Sequence, residues 1–212
     1  TCGDTLDGGR HVLEADLACS VSPSLILNGP VQLDMNGHRL VCTGGNNGIL
    51  VTGRAAKIKD GTIIGCINGI EMDASFQNEG KHKITNVTAQ GNGNGFLLHQ
   101  GKNKLIDNVA AGNSGAGFYY PLSTGGGSKL IRNTALNNGG GPGFLIQGDK
   151  VKLSENLSDG NAAQGIVVIG EKAKLKKNIA SNNNSHGFEI LGSAFGGTLT
   201  RNVALGNGER GY

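Results

Sequence analysis

The sequence has 212 residues, which fits a single domain, and its formal charge of +3 is too small to indicate a nucleic-acid partner by itself. It contains 38 glycines, 23 asparagines and no tryptophan. No run of about 18 apolar residues is present, so no membrane-spanning segment is expected. Glycine and asparagine disfavour helices, the glycines lack the three-residue period of collagen, and regularly spaced apolar residues argue against disorder.

The first 30 residues are predicted to form an N-terminal cap and the first strands. Leu13, Ala15 and Leu17 alternate with other residues, which indicates a strand over 11–19 rather than a helix. Thr1 fits the start of a processed chain. An even, clustered cysteine set is typical of disulfides and an oxidising compartment, so we expect a secreted or periplasmic protein with the paired residues Cys2, Cys19, Cys42 and Cys66.

Three features recur along residues 31–212 with one period, and repeats take precedence over single elements. A glycine before an apolar residue recurs at intervals of 21 to 26 residues, at Gly48, Gly69, Gly95, Gly117, Gly143, Gly165 and Gly187. Polar corner residues recur at Asp60, Asn86, Asn108, Asn133, Asn156, Asn178 and Asn202, and again at Asn92, Asn113, Asn138, Asn161, Asn183 and Asn207. A lysine before an apolar residue recurs at Lys57, Lys83, Lys104, Lys129, Lys152 and Lys174.

This pattern predicts an all-β solenoid. Strands of three to five residues joined at Asn and Gly corners cannot pair within one unit, but they can pair with the same strand of the next unit. We therefore expect one domain over 1–212, a right-handed parallel β-helix of about 8–9 coils with roughly 22–26 residues each. The corner asparagines, including the Asn-X-Ser/Thr residues Asn86 and Asn156, are expected to be buried in hydrogen-bonded columns.

A family resemblance agrees with this fold. Leu33–His38 reads LDMNGH and resembles the LDLNGH signature of the pectate-lyase-like superfamily, while the segments around Cys2 and Cys19 resemble the paired-cysteine start of its secreted members. The resemblance covers the whole chain and implies the fold, whereas the activities in that superfamily range from lyases, hydrolases and epimerases to adhesins. The calcium-binding aspartates and catalytic arginine of pectate lyases, the Asp-Pro-His-Asp motif of alginate epimerases and the paired aspartates of polygalacturonases are missing. Neither a metal nor a cofactor is expected.

Repeat spacing also suggests the disulfide pairing. Cys42 and Cys66 are 24 residues apart, as are Gly37 and Gly61, so the two cysteines should occupy equivalent places in adjacent coils. Stacked Cα atoms about 4.8 Å apart suit a disulfide. Cys2 and Cys19 are then left to pair and to fix the cap.

Alternation after each repeat glycine separates core from surface. The first and third residues, from Ile49 and Val51 to Phe188 and Ile190, are all apolar or aromatic and should point inward. The second and fourth should point outward, yet at least seven of them are large and apolar. Such a stripe indicates either a binding surface or a face covered by a loop or a second subunit.

A candidate cleft lies on this outward face. Long turns are predicted at 74–82 and 121–128, on either side of the coil that carries His99, and coil spacing separates these walls by roughly 10 Å. Asp73 should stack on His99 and Tyr119 should lie one coil above, which makes an acid–base set for catalysis. An ordinary surface Asp–His pair beside a packing tyrosine is the alternative. The expected substrate-binding residues are Glu71, Phe76, His82, Leu97, Leu145, Gln147 and Val167.

The lysine column is a second candidate surface. Like charges stacked roughly 5 Å apart destabilise a sheet, so a column containing Lys104 and Lys129 should attract an anionic partner. The alternative is a solvated face whose lysines discourage aggregation.

Three functions follow from these features. The first is a secreted enzyme that acts on an anionic polysaccharide by proton abstraction, as a lyase or an epimerase. The second is an isomerase or cyclase for a small hydrophobic molecule bound on the apolar stripe around His99, and the third is a non-catalytic glycan-binding or structural module. The expected partner is a polysaccharide or a small hydrophobic substrate, without nucleic acid or membrane. A second copy of the chain, bound through the apolar face or the C-terminal coil, is a further candidate.

Overall fold

A computed structural model describes residues 1–73, 80–99, 101–121, 126–191 and 196–212. Within these ranges the chain forms strands and turns without helices, so no described helix could cross a membrane. In chain order the strands are β1 Thr5–Asp7, β2 Arg10–Val12, β3 Leu17–Cys19, β4 Leu25–Asn28, β5 Gln32–Asp34, β6 Arg39–Cys42, β7 Ile49–Val51, β8 Lys57–Ile64, β9 Asn68–Met72, β10 Lys83–Gln90, β11 Asn94–Leu98, β12 Lys104–Ile106, β13 Val109–Ala111, β14 Phe118–Tyr120, β15 Lys129–Ile131, β16 Thr134–Leu136, β17 Phe144–Gln147, β18 Lys152–Ser154, β19 Leu157–Asp159, β20 Ile166–Ile169, β21 Lys174–Lys176, β22 Ile179–Ser181, β23 Phe188–Leu191, β24 Thr198–Thr200 and β25 Val203–Leu205.

These strands stack into a parallel β-solenoid of about eight turns with three faces. The first face stacks β1, β4, β7, β9, β11, β14, β17, β20 and β23. The second face contains β2, β5, β12, β15, β18, β21 and β24, and the third contains β3, β6, β13, β16, β19, β22 and β25. The long strands β8 and β10 bend from the second face into the third. Each strand therefore pairs with its counterpart in the next coil, as the repeat predicts.

The core is built from aligned columns of inward side chains. On the first face the register pairs Phe96 with Phe118 and Phe118 with Phe144, and all three side chains are fully buried. Their rings stack with centroids 4.7 Å apart and are within 3° of parallel. Strand spacing imposes this geometry, and each stacked pair adds about 0.5–1.5 kcal/mol to the free energy of burial. The predicted inward register is confirmed.

Two columns of asparagine side chains close the corners on either side of the third face. Asn133 is fully buried, and its amide Nδ2 donates to the carbonyl oxygen of Leu105 at 3.0 Å and to Oδ1 of Asn156 at 3.1 Å. The second column joins Asn113, Asn138, Asn161 and Asn183 in the same way. The corner carbonyls and amides that the strands leave unpaired are thus satisfied inside the protein, and the predicted columns are confirmed.

One predicted member of the first column is wrong. Asn86 is exposed and has a left-handed φ of 55°, and Val87 takes the buried place, where its backbone N–H donates to Oδ1 of Asn108 at 3.0 Å. The ladder residue lies four positions after the lysine of each unit, whereas Asn86 lies three positions after Lys83. It belongs with Asp60 and Asp107 at the outer, left-handed corner position.

The N-terminal coil differs from the prediction in one respect. Residues 11–19 are not one strand, because a corner between the second and third faces separates β2 from β3. Both disulfides are present, with Cα–Cα distances of 5.5 Å for Cys2–Cys19 and 5.0 Å for Cys42–Cys66. The first links the segment before β1 to the end of the first coil, and the second links the ends of the second and third coils, so the N-terminal end of the solenoid is covalently fixed.

Candidate functional site

The most highly charged surface is the second face. Its register pairs each lysine with that of the next coil, so that six exposed lysines form one uninterrupted column: Lys57, Lys83, Lys104, Lys129, Lys152 and Lys174. Gln32 precedes the column and Thr198 follows it. Because adjacent strands are about 4.8 Å apart, the Cα atoms of the six lysines extend over about 24 Å along the solenoid axis.

These lysines have no carboxylate partner in the part of the chain that the structure describes. Within the described residues, none of the six ammonium groups forms an ion pair. The neighbouring outward column on the same face consists mostly of neutral and cationic residues, namely Asp34, Lys59, Thr85, Ile106, Ile131, Ser154, Lys176 and Thr200. Its carboxylate, Asp34, lies 2.7 Å from Nζ of Lys59 and is thereby neutralised. The face as a whole carries a large excess of positive charge.

The adjacent corner column shows the opposite arrangement. Arg132 donates two hydrogen bonds to the carboxylate of Asp107, at 2.7 and 2.8 Å, and this guanidinium lowers the pKa of Asp107. One coil further, Lys177 lies 3.8 Å from Glu155. Opposite charges thus alternate at this corner, whereas the lysine column beside it contains a single charge sign.

Two cavities open on the second face. The first, of about 300 Å³, lies at the N-terminal end between the strands that carry Arg10, Lys57 and Lys83. The second, of about 330 Å³, has Ile131 and Leu153 on its floor and Lys129, Lys152, Lys174 and Lys176 around it. The second cavity therefore combines an apolar floor with a cationic rim, an arrangement that suits a ligand with a carbon-rich face and anionic groups.

The predicted apolar stripe lies on the first face. Its register aligns Leu50, Glu71, Leu97, Tyr119, Leu145, Val167 and Glu189. These side chains are half-buried, and Val167 is only 4% exposed, so less apolar surface is accessible than the sequence predicts. The carboxylate of Glu71 accepts hydrogen bonds from Asn47 at 2.7 Å and Asn68 at 3.0 Å, which gives it a role in holding the corner.

The predicted acid–base residues are neighbours in this register. Met72 pairs with Leu98, which brings Asp73 and His99 to adjacent coils, and Leu97 pairs with Tyr119 in the coil after. All three side chains are half-buried, and Gln147 lies two coils beyond His99 on the same face. Phe76 lies outside the described residues, as do 74–79 and 122–125 of the two predicted long turns. A catalytic role for Asp73, His99 and Tyr119 remains a prediction.

His82 does not line a cleft wall. It is 1% exposed, its Nδ1 accepts the backbone N–H of Ala56 at 3.1 Å, and its own backbone N–H donates to Oδ1 of Asn103 at 3.1 Å. It immediately precedes the strand lysine Lys83, as Asn103 precedes Lys104, and this position faces inward at the corner before the second face. The predicted substrate contact of His82 is therefore wrong.

The sequence analysis named Lys57 and Lys83 of the first cavity but did not assign a binding role to Arg10, Asp34, Lys59 or Thr85, which also line it. Alternation in Lys57-Ile58-Lys59 could have placed both lysines outward on one strand. Arg10 and Asp34 could be placed only after their strands had been assigned to the coils, because their segments lack the repeat lysine.

Comparison with known proteins identifies the fold family. A family model described as the right handed beta helix region matches residues 68–212. The chain belongs to this right-handed β-helix family. The predicted fold is thus confirmed, including its handedness.

One solved structure that resembles the chain is the A-module of mannuronan C-5 epimerase AlgE4 from Azotobacter vinelandii. The match has 16% sequence identity and a TM-score of 0.37, and it covers 95% of this chain and 71% of that one. This likeness is too distant to carry an argument about function. A comparison with curated proteins gives no match.

Two further observations concern metal binding and the disulfides. Within the described ranges, no group of three or more His, Cys, Asp or Glu side chains is arranged to hold a metal ion. The two disulfides are compatible with an extracellular location. The two candidate surfaces, the lysine face and the half-buried stripe around His99, lie on different faces of the solenoid.

Proposed function

We propose that the protein binds an anionic polysaccharide along its second face. The observation that carries this proposal is the column of six lysines, which have no carboxylate partners among the described residues. Repulsion between neighbouring ammonium groups is relieved when a polyanion lies along the column, and the released counterions further favour binding. A glycan with one anionic group per sugar carries charge along its whole length, so it can contact several lysines of the column.

The composition of the face favours a glycan over a nucleic acid. Proteins that bind single-stranded nucleic acids combine a basic groove with aromatic side chains on which the bases stack. Both outward columns of the second face contain no aromatic residue within the described part of the chain. Ile106 and Ile131 instead provide flat aliphatic surface between the lysines, which can pack against the C–H face of a pyranose ring.

The test measures binding of polygalacturonate and alginate to the intact protein by isothermal titration calorimetry at several salt concentrations. Affinity should fall steeply with salt, because exposed charges are screened. The double variant Lys104→Gln/Lys129→Gln should bind about two- to thirtyfold more weakly, since each exposed ion pair typically contributes about 0.2–1 kcal/mol.

Lys177→Gln is the matched control, because this lysine is exposed but pairs with Glu155 on the adjacent corner. It should bind the polymers like the unmodified protein. Absence of binding at low ionic strength, or an equal loss in the control, would reject the proposal and leave the lysines as a solvated face.

A second candidate function is acid–base catalysis on the first face. The supporting observation is the register that brings Asp73, His99 and Tyr119 onto neighbouring coils. A lyase or epimerase would use His99 to move a proton, with Tyr119 as donor and Asp73 to orient the ring. An isomerase or cyclase for a small hydrophobic molecule would use the same residues, although the half-buried stripe offers it limited apolar surface.

The two candidates can be separated by experiment. If the polymer is a substrate, incubation should release unsaturated uronates, detected by ultraviolet absorbance, or should change the epimer ratio, detected by proton NMR. His99→Ala should then lower turnover by about 10²–10⁴-fold and leave polymer binding to the lysine face unchanged. Binding without turnover in the unmodified protein would support a glycan-binding module and exclude catalysis on these polymers.

A further inference from the structure

The first cavity of the second face differs from the rest of the lysine column. It has a volume of about 300 Å³ and lies where the column ends, with Gln32 in the place that a lysine occupies in the next six coils. Arg10 approaches from the first coil and Lys59 from the neighbouring outward column, so cations surround the space from several strands rather than from one line. This geometry encloses a compact ligand better than it follows a polymer.

The lining has a net positive charge but includes one carboxylate. Arg10, Lys57, Lys59 and Lys83 contribute four cations, and Asp34 contributes one anion. Asp34 Oδ2 lies 2.7 Å from Nζ of Lys59 and 3.5 Å from Nη2 of Arg10, and its Oδ1 accepts the backbone N–H of Asn36 at 3.0 Å. The hydrogen bond from Lys59 lowers the pKa of Asp34, so this carboxyl is ionised. A carboxylate has about four acceptor sites, so Asp34 can still accept a hydrogen bond from a ligand.

A hydroxyl group beside these charges lacks a partner. Thr85 Oγ1 is a buried side-chain oxygen without a hydrogen bond among the described residues. Thr85 pairs with Lys59 across adjacent coils and lines the cavity. Buried polar groups in native proteins are nearly always hydrogen-bonded, and an unpaired one often marks a missing ligand or water. Because Oγ1 is shielded from solvent, a molecule in the cavity reaches it only when the neighbouring side chains rearrange.

From these three observations we infer that the first cavity is a separate binding site for a small organic anion that also carries hydroxyl groups, as a sugar acid does. The anionic group binds among Arg10, Lys57 and Lys83. The hydroxyl groups donate to Asp34 and exchange hydrogen bonds with Thr85 and Gln32. A densely charged ion without hydroxyl groups is disfavoured, because it would face the Asp34 carboxylate without offering it a donor.

The inference does not depend on polymer binding. Lys57 and Lys83 belong to both surfaces, but Arg10, Asp34 and Thr85 lie outside the lysine column, and the second cavity lies outside this site. Loss of one activity can therefore be distinguished from loss of the other.

The test is isothermal titration calorimetry of the intact protein with four probes: D-glucuronate, D-glucose, acetate and inorganic phosphate. Glucuronate should bind at least about tenfold more tightly than each of the other three probes. Acetate and phosphate lack its pattern of hydroxyls, and neutral glucose lacks its carboxylate, so each of them forms fewer hydrogen bonds to charged groups of the cavity. Thr85→Val, which preserves side-chain shape, should weaken glucuronate binding about tenfold, and Arg10→Gln should weaken it by a similar factor. Asp34→Asn should reduce the preference for glucuronate over acetate.

Lys177→Gln is the control, because Lys177 lines neither cavity and pairs with Glu155 at the adjacent corner. It should leave glucuronate affinity unchanged, and circular dichroism should show that all variants retain the fold. The inference is overturned if glucuronate does not bind, if phosphate or acetate binds as tightly, or if folded Thr85→Val and Arg10→Gln bind like the unmodified protein. If the protein binds glucuronate but neither polygalacturonate nor alginate, the proposed function is rejected and the inference about the first cavity stands.

Discussion

Replacement of Asn133 by alanine tests the structural basis of the solenoid most directly. The Asn133 side chain is fully buried and takes part in four hydrogen bonds. Its Oδ1 accepts from the backbone N–H of Asn108 at 3.1 Å and from Nδ2 of Asn108 at 2.9 Å, while its own Nδ2 donates to Leu105 and Asn156. Alanine would deprive the buried backbone N–H of Asn108 of its acceptor, and it would remove one hydrogen bond each from Nδ2 of Asn108, the carbonyl of Leu105 and Oδ1 of Asn156.

The expected magnitude follows from this count. Each hydrogen bond contributes about 0.5–1.5 kcal/mol, so four of them amount to about 2–6 kcal/mol, and unsatisfied partners push the value toward the upper end. A domain is typically stable by only about 5–15 kcal/mol, so Asn133→Ala should lower the urea midpoint substantially or prevent folding. Urea unfolding followed by circular dichroism measures this change.

Asn86→Ala provides the matched control. Asn86 is exposed, and its Nδ2 donates to Asp60 at 2.9 Å on the surface. Its replacement should change the free energy of unfolding by no more than about 1 kcal/mol. If both variants unfold at the same urea concentration, the asparagine columns do not stabilise the coils and the reasoning fails.

Three further predictions concern the disulfides, the surface charges and the candidate catalytic residue. Removing the Cys42–Cys66 disulfide should lower the free energy of unfolding by roughly 2–4 kcal/mol, measured by urea unfolding of the doubly alanine-substituted protein, and four free thiols in the native protein by mass spectrometry would contradict the pairing. Arg132 lowers the pKa of Asp107, so this pair stabilises the fold above the unfolded pKa of about 3.9, and the contribution is lost as pH falls through the folded pKa. In the Arg132→Gln variant, the free energy of unfolding should therefore decrease less steeply as pH falls below about 4. The difference should be small, because the pair is exposed. If turnover of a uronate polymer is found, His99→Ala should lower kcat by about 10²–10⁴-fold without changing the urea midpoint, and full retention of activity would show that His99 is not catalytic.

The fold could be predicted because three kinds of residue, each with a different place in the coil, recur with the same period. Inward apolar residues, asparagines at the corners and outward lysines each recur with the coil period, and any one of these series fixes the register of the others. The register fails at Asn86 because residue type and residue position disagree there. Asn86 is of the same residue type as the ladder asparagines but lies one position before theirs. The buried position is the fourth after the repeat lysine, and in this coil Val87 occupies it.

The candidate site was less predictable, because it depends on which coil segments come together. The lysine column follows from spacing alone. His82 was assigned to a surface wall because it lies in a long turn by sequence, whereas its backbone position is the inward corner before the second face. A binding role for Thr85 or Asp34 could not be predicted from the sequence. The unpaired hydroxyl and the neutralised carboxylate become apparent only when the atoms of three neighbouring coils are placed together.

The charge arrangement of neighbouring columns supports the proposal that the lysine face binds a polyanion. Every coil exposes equivalent positions, so repulsion between stacked lysines could be relieved by alternating lysine with glutamate. The adjacent corner does so, with Arg132 beside Asp107 and Lys177 beside Glu155. Six consecutive coils of the lysine column do not, although the same strand geometry is available to them. A column of alternating charges and a column of lysines alone would both keep the protein soluble. A linear polyanion binds the lysine column better, because only a column of one charge sign offers it a favourable contact at every coil.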